Sequence, residues 1–159
     1  MESSRRQLAQ VNIARMRGHP VAPVMAGMVA RMDEMNRLAE QSQGFVWRMR
    51  GADVTVEMLR VFEDYFVPFD PERLFYNLSV WESVQDLKRY AFKPAHAEML
   101  RDKHRWVEHF DRARLALWWI APGEFPTVAE SAQRLRSVHQ RGPTSFAFTF
   151  QHCFPRPTA

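Results

Sequence analysis

The sequence is poor in cysteine and glycine and contains no long apolar run. Its 159 residues include one cysteine and six glycines. Cys153 has no partner for an internal disulfide, which favours a reducing compartment. No run of about 18 apolar residues predicts a membrane helix, and the N-terminus lacks the apolar centre of a signal peptide. These absences predict a cytoplasmic protein with a single domain, residues 1–159, stabilised by its apolar core.

Motifs that bind metals or nucleotides are also missing. None of the six histidines stands four residues from another, and neither HExxH nor CxxC occurs. There is no glycine-rich phosphate loop. We therefore expect no dedicated metal site and no nucleotide cofactor.

Charge is moderate, whereas aromatic residues are abundant. The formal net charge is +4, and the arginines are scattered between apolar positions, as on solvated helices. We therefore expect neither nucleic acid nor a membrane as a partner. Twelve Phe, five Trp and three Tyr suit a pocket for a flat apolar ligand, and they also suit a dimer interface.

Hydrophobic periodicity predicts the order β-α-β-(insertion)-β-α-β-α-β. Residues 50–73 fit neither period and are interpreted as an insertion into a core of about 7–155. The first six elements match a split β-α-β unit, an α+β fold whose ferredoxin-like antiparallel sheet has helices on one face. Predicted strands cover 6–16, 45–49, 74–81, 114–121 and 145–150, and predicted helices cover 24–43, 83–92, 94–110 and 127–141.

A sheet of this kind leaves its second face bare. Here that face would expose Leu78, Val80 and a row of phenylalanines, a surface that proteins normally cover. We expect a second copy of the chain to cover it, so that the protein is a homodimer.

The stretch VWESVQDLKRYAFKPAHAEMLR resembles a segment of the dimeric α+β barrel superfamily, in which a strand ends in tryptophan and a serine-started helix and a histidine follow. The superfamily includes antibiotic-biosynthesis-type and haem-degrading monooxygenases. The resemblance implies that two sheets pair as a dimeric α+β barrel, with a pocket between helices and sheet in each subunit. LWWIAPGEFPTVAESAQRLRSVHQRGPTSFAFTF resembles, more narrowly, an uncharacterised domain-of-unknown-function family of this superfamily, over about residues 7–155.

The resemblance also implies a site. The haem-degrading branch uses an asparagine on the first strand, a tryptophan ending the third and a histidine on the next helix. Asn12, Trp81 and His96 occupy the corresponding elements. Haem is therefore the alternative to a site without cofactor. The shorter spacing from Trp81 to His96, with Pro94 before the histidine, argues against an axial haem ligand.

Each of these three side chains has a chemical use. A neutral His96 can take a proton from a phenol or an acidic carbon. Trp81 offers an indole face and one N–H donor, and Asn12 offers an amide donor. The competing interpretations are a core histidine, a packed tryptophan and an asparagine bonded at a strand edge. Further candidates for the pocket wall are Tyr76, Tyr90, Phe92, Trp106 and Met28.

Together these observations predict a small-molecule enzyme. We expect a cofactor-independent monooxygenase-type activity on an aromatic or polyketide-like substrate, because an anion formed by proton removal can reduce dioxygen itself. An isomerase or cyclase would begin with the same step in the same pocket. The alternatives of a different class are a non-catalytic dimer that binds a small ligand or haem, and a structural or regulatory partner.

Overall fold

The computed structural model describes residues 5–158, so residues 1–4 and 159 of the predicted domain lie outside the described residues. None of the helices in this part of the chain is both long and apolar enough to cross a membrane. The elements are β1 (Gln7–Met16), α1 (Ala26–Glu40), β2 (Phe45–Arg48), α2 (Val56–Leu59), β3 (Leu74–Trp81), α3 (Val84–Ala91), α4 (Pro94–Asp102), β4 (Val107–Glu108), β5 (Leu115–Ile120) and α5 (Val128–Arg141).

The sheet is built around β1, which is paired along both edges. One edge pairs antiparallel with β3, which in turn pairs antiparallel with β2. The other edge pairs antiparallel with β5 and then with the two-residue β4. The order β2-β3-β1-β5 is that of a ferredoxin-like sheet. The predicted α+β class with an antiparallel sheet is therefore confirmed.

Side chains of β1 and β3 alternate between the two faces of the sheet. One face, called the core face below, is apolar and buried in the largest core cluster, and it includes Ala9, Val11, Ile13, Leu78 and Val80. The opposite face, called the cavity face, is mixed in polarity and includes Gln10, Asn12, Asn77, Ser79 and Trp81.

The core face is not bare, and the prediction of helices on one face of the sheet is wrong. Leu78 and Val80 are fully buried beneath α5 and segment 50–73, which contribute Leu135, Phe62 and Phe66 to the same cluster. The sequence did not predict where segment 50–73 packs, because its apolar residues follow no single period. Its large aromatic side chains need burial, and the sheet provides it.

The homodimer was predicted from a bare sheet face, and that face is covered by the chain itself. Two sheets can pair through their core faces only if α5 and segment 50–73 leave that face. A homodimer stays a prediction, and it requires another surface of the chain.

Segment 50–73 is fastened to the sheet by a buried cation. Arg15 of β1 donates from Nη1 to the carbonyl oxygen of Pro68 at 3.1 Å and from Nη2 to that of Val67 at 2.8 Å. Its guanidinium also lies 3.9 Å from the ring centre of Phe66. Carbonyl acceptors and an aromatic face together offset the cost of burying this charge.

Two predicted helix starts are confirmed by their caps. The hydroxyl oxygen of Ser83 accepts a hydrogen bond from the backbone N–H of Asp86, and that of Thr127 accepts one from Glu130, each at 3.1 Å. These bonds satisfy backbone donors that the first turn of a helix leaves free.

Two predicted elements differ in the structure. Residues 145–150 form no strand, because Phe148 makes a single two-way bridge with Leu117 and the chain then turns. The helix predicted over 94–110 ends at Asp102 and is followed by a 3-10 turn and by β4. The end of β1 extends beyond β5, and β4 supplies the pairing partner there, so tertiary pairing overrides the helical period.

We predict that Phe62→Ala destabilises the protein by about 3–5 kcal/mol, because it leaves a cavity beneath the sheet. Phe62 is 0% exposed. Urea unfolding monitored by circular dichroism measures the change. Phe92→Ala is the matched control, since Phe92 is 73% exposed and its loss should cost less than about 0.5 kcal/mol. Equal destabilisation by both variants would show that segment 50–73 is not part of the core.

Candidate functional site

A cavity of about 570 Å³ lies between the cavity face of the sheet and helices α1, α3 and α4. The sheet forms its floor, and α1 forms one wall with Met28, Met32 and Met35. Methionine side chains are flexible and apolar, so this wall can adapt to flat ligands of different shape. Cavities of this size and apolar character are typical of small-molecule sites.

Three of the predicted site residues form a continuous chain of rings. The rings of Trp81 and Tyr90 are stacked, with centres 5.2 Å apart and planes 25° apart. The ring of His96 meets Tyr90 edge-on, again with centres 5.2 Å apart. The hydroxyl of Tyr90 donates to the carbonyl oxygen of Met35 at 3.2 Å, which joins α3 to α1. The imidazole is therefore held by packing at one end of an aromatic series.

His96 is half-buried and lines the cavity. Its Nδ1 is shielded from solvent and has no hydrogen-bond partner among the described residues. Burial lowers the pKa of His96 below its usual value of 6.5, and the nearby carbonyl of Ala91 opposes this shift. The ring is therefore neutral near pH 7 and can accept a proton.

The floor of the cavity contains a hydrogen-bonded polar network. Nε2 of Gln10 donates to Oδ1 of Asn77 at 2.5 Å and to the hydroxyl oxygen of Ser79 at 2.9 Å. That hydroxyl oxygen also accepts from Nε1 of Trp81 at 2.9 Å. The N–H donor expected from Trp81 is thus engaged in this arrangement. Trp81, 1% exposed, presents ring surface to the site.

The side-chain amide of Asn12 is free to donate a hydrogen bond, whereas the N–H of Trp81 already bonds to Ser79. Its side chain lines the cavity on β1, directly opposite Asn77 of β3, and makes no hydrogen bond to another residue of 5–158. An amide in this position is available to a ligand oxygen. Asn12 is therefore the better placed of the two predicted donors.

The other predicted wall residues fall into three groups. Met28 and Trp106 are buried and line the cavity, as expected. Phe92 lies at the mouth, largely exposed. Tyr76 borders the cavity, but its hydroxyl bonds to that of Ser131 on α5 at 2.7 Å, on the core side of the sheet. The alternation along β3 already placed Tyr76 opposite Trp81, which is the signal that the wall prediction overlooked.

Sequence reasoning missed several functional candidates. Gln10, Asn77 and Ser79 form the polar floor, and alternation from Trp81 and Asn12 places all three on the same face. Lys103, which directly follows α4, lines the cavity and continues the helical spacing of His96. No three His, Cys, Asp or Glu side chains of residues 5–158 lie where they could hold a metal ion.

The family follows from the sequence as a whole. A family model described as domain of unknown function DUF3291 matches residues 7–159. The chain belongs to this family. The expectation of an uncharacterised domain-of-unknown-function family is thereby confirmed. No curated protein matches the chain.

The solved structures that are similar to this chain include the following two. PA3566 from Pseudomonas aeruginosa is 10% identical, with a TM-score of 0.46 over 75% of this chain and 96% of that one. SnoaB, a cofactor-independent oxygenase from Streptomyces nogalater, is 15% identical, with a TM-score of 0.46 over 76% of this chain and 98% of that one. Similarities at this level are too low to transfer an activity.

We predict that burial of His96 makes the protein less stable below about pH 6.5. The folded pKa is lower than the unfolded one, so the unfolded chain binds the proton more readily as pH falls through this range. Urea unfolding at pH 7.5 and pH 5.0 measures the loss. In His96→Gln the loss should be smaller than in the wild type. An identical loss in both proteins would show that His96 titrates as an ordinary exposed histidine.

Proposed function

We propose that the protein is a cofactor-independent monooxygenase that acts on a flat, electron-rich aromatic or polyketide-like substrate. The observation that carries the proposal is the position of His96. His96 lines an apolar cavity and its Nδ1 is closed off by the protein, so we assign Nε2 as the nitrogen that faces the substrate. Such a nitrogen is suited to proton removal, because the ring is neutral and held by Tyr90.

The reaction begins with proton transfer to Nε2 of His96 from a phenolic hydroxyl or an activated methylene. The anion gives an electron to dioxygen, and the resulting radical pair combines to form a carbon–oxygen bond. The peroxide anion takes the proton back from His96, and loss of water from the hydroperoxide, with the remaining hydrogen of that carbon, leaves a carbonyl. One oxygen atom enters the substrate and the other leaves as water, and the substrate supplies all the electrons. No reductant beyond the substrate is required.

The rest of the cavity supports this step by position and polarity. The free amide of Asn12 donates to the substrate oxygen on which negative charge develops. The methionine wall and Trp106 exclude water from the anion. The network of Gln10, Asn77 and Ser79 fixes the floor, so the donors need little rearrangement during reaction.

We predict that His96→Ala slows the reaction about 10²–10⁴-fold, the usual contribution of a positioned general base. Dioxygen consumption with anthrone and with dihydroxynaphthalenes, corrected for the rate without protein, measures the effect. His104→Ala is the matched control, because His104 is an exposed histidine outside the cavity lining. Equal rates for wild type and His96→Ala on a substrate that the wild type accelerates would refute the base assignment.

Proton removal without oxygen uptake would point to the isomerase or cyclase alternative. Both reactions use the same base in the same cavity. Incubation under nitrogen, with product analysis by mass spectrometry, distinguishes them, since only the monooxygenase requires dioxygen and adds an oxygen atom.

Haem binding is the second candidate, favoured by the position of His96 in the lining of a largely apolar cavity. His96 would be the ligand to the iron, and haem would supply the oxygen chemistry. Titration with hemin tests this candidate. A Soret band that His96→Ala abolishes would contradict the cofactor-independent proposal.

A further inference from the structure

The cavity lining carries positive charge and no negative charge. Arg48, Lys103 and Arg114 line it, and no Asp or Glu of the described chain does. Nε of Arg48 donates to Oε1 of Glu40 at 2.7 Å, so its charge is balanced. Lys103 and Arg114 form no ion pair within residues 5–158. Two cations at the cavity are therefore available to a ligand.

Lys103 belongs to the same helical stripe as His96. His96, Met99 and Lys103 recur at intervals of three and four residues, and all three line the cavity. Seven residues at the helical rise separate His96 and Lys103 by about 10 Å along the helix axis. Lys103 is exposed and His96 is half-buried, so the ammonium group marks the solvent side of the site.

Arg114 belongs to the segment that runs from Lys103 along the edge of β1. The carbonyl oxygen of Trp106 accepts from the backbone N–H of Arg17 at 2.7 Å, and that of Arg114 accepts from Ile13 at 2.9 Å. Arg114 thus lies one residue from Leu115, the β5 partner of Asn12. Lys103, Arg114 and Asn12 border the cavity along this edge of the sheet.

We propose that the substrate is an aromatic acid whose carboxylate binds at Lys103 and Arg114. The ring system lies between the methionine wall and the sheet, and the proton-bearing end reaches His96. This inference rests on the proposed function for the role of His96. The spacing between His96 and Lys103 fits a fused-ring skeleton with its acid group and its reacting group at opposite ends.

Charge of one sign in a cleft with apolar walls favours an anionic ligand. Apolar walls strengthen the attraction, and unbalanced cations raise the local concentration of anions. A carboxylate also accepts charge-assisted hydrogen bonds from ammonium and guanidinium groups. An uncharged ester of the same ring system keeps the apolar contacts but loses the electrostatic attraction to the two cations.

We predict that 6-hydroxy-2-naphthoate binds about ten-fold or more tightly than its methyl ester. Isothermal titration calorimetry with both probes measures the ratio. The K103Q/R114Q double variant should bring the ratio close to one while its affinity for the ester stays unchanged. R101Q is the control, because Arg101 is exposed on α4 outside the cavity lining and its loss should leave the ratio unchanged.

The ratio should also fall as salt is added, since the two cations are at the solvent side. Equal binding of acid and ester to the wild type, a ratio that survives in K103Q/R114Q, or no binding of either probe at millimolar concentration would overturn the inference. Calorimetry involves no oxygen chemistry, and His96→Ala should keep the acid preference. Absence of oxygen uptake with the preference intact overturns the proposed function alone, whereas uptake without the preference overturns this inference alone.

Discussion

The structure depends on strand β1, which contributes side chains both to the main core and to the cavity floor. β1 is hydrogen-bonded along both edges, so its side chains can only project to the two faces of the sheet. One set completes the main core, and the other forms part of the cavity floor. A single residue of slippage would exchange these sets and place Gln10 and Asn12 in the core. The ladders on both sides prevent this, which allows polar side chains to stand in fixed positions beneath an apolar cavity.

Much of the fold is predictable because its elements carry strong local signals. The alternation in β1 and β3 and the caps at Ser83 and Thr127 define their elements within a few residues. Segment 50–73 carries no such signal. Its short helical turns place Phe62 and Phe66 against the sheet through contacts distant in sequence, and no periodicity encodes those contacts. For the same reason, the sequence predicted a bare sheet face that the chain itself covers.

The sequence predicted which residues form the candidate site better than it predicted the hydrogen bonds between them. The cap at Ser83 and the proline at the start of α4 determine where Tyr90 and His96 fall, and Tyr90 contacts both Trp81 and His96. The partner of the Trp81 N–H does not follow from the sequence pattern, since it depends on the side-chain conformation of Ser79. The availability of Lys103 likewise depends on which carboxylates lie within reach, and this is a property of the folded surface.

The hydrogen bonds of the Arg15 guanidinium link β1, which borders the cavity, to segment 50–73 on the other side of the sheet. The guanidinium donates hydrogen bonds to carbonyl oxygens of segment 50–73, while Asn12 and Ala14, which precede Arg15 on β1, border the cavity. A molecule that stiffens β1 from above should slow amide hydrogen exchange in the segment below, although the two never touch. Because thermodynamic coupling is reciprocal, a substitution that destabilises segment 50–73 should lower the affinity for that molecule. We therefore expect segment 50–73 to be coupled to the candidate site.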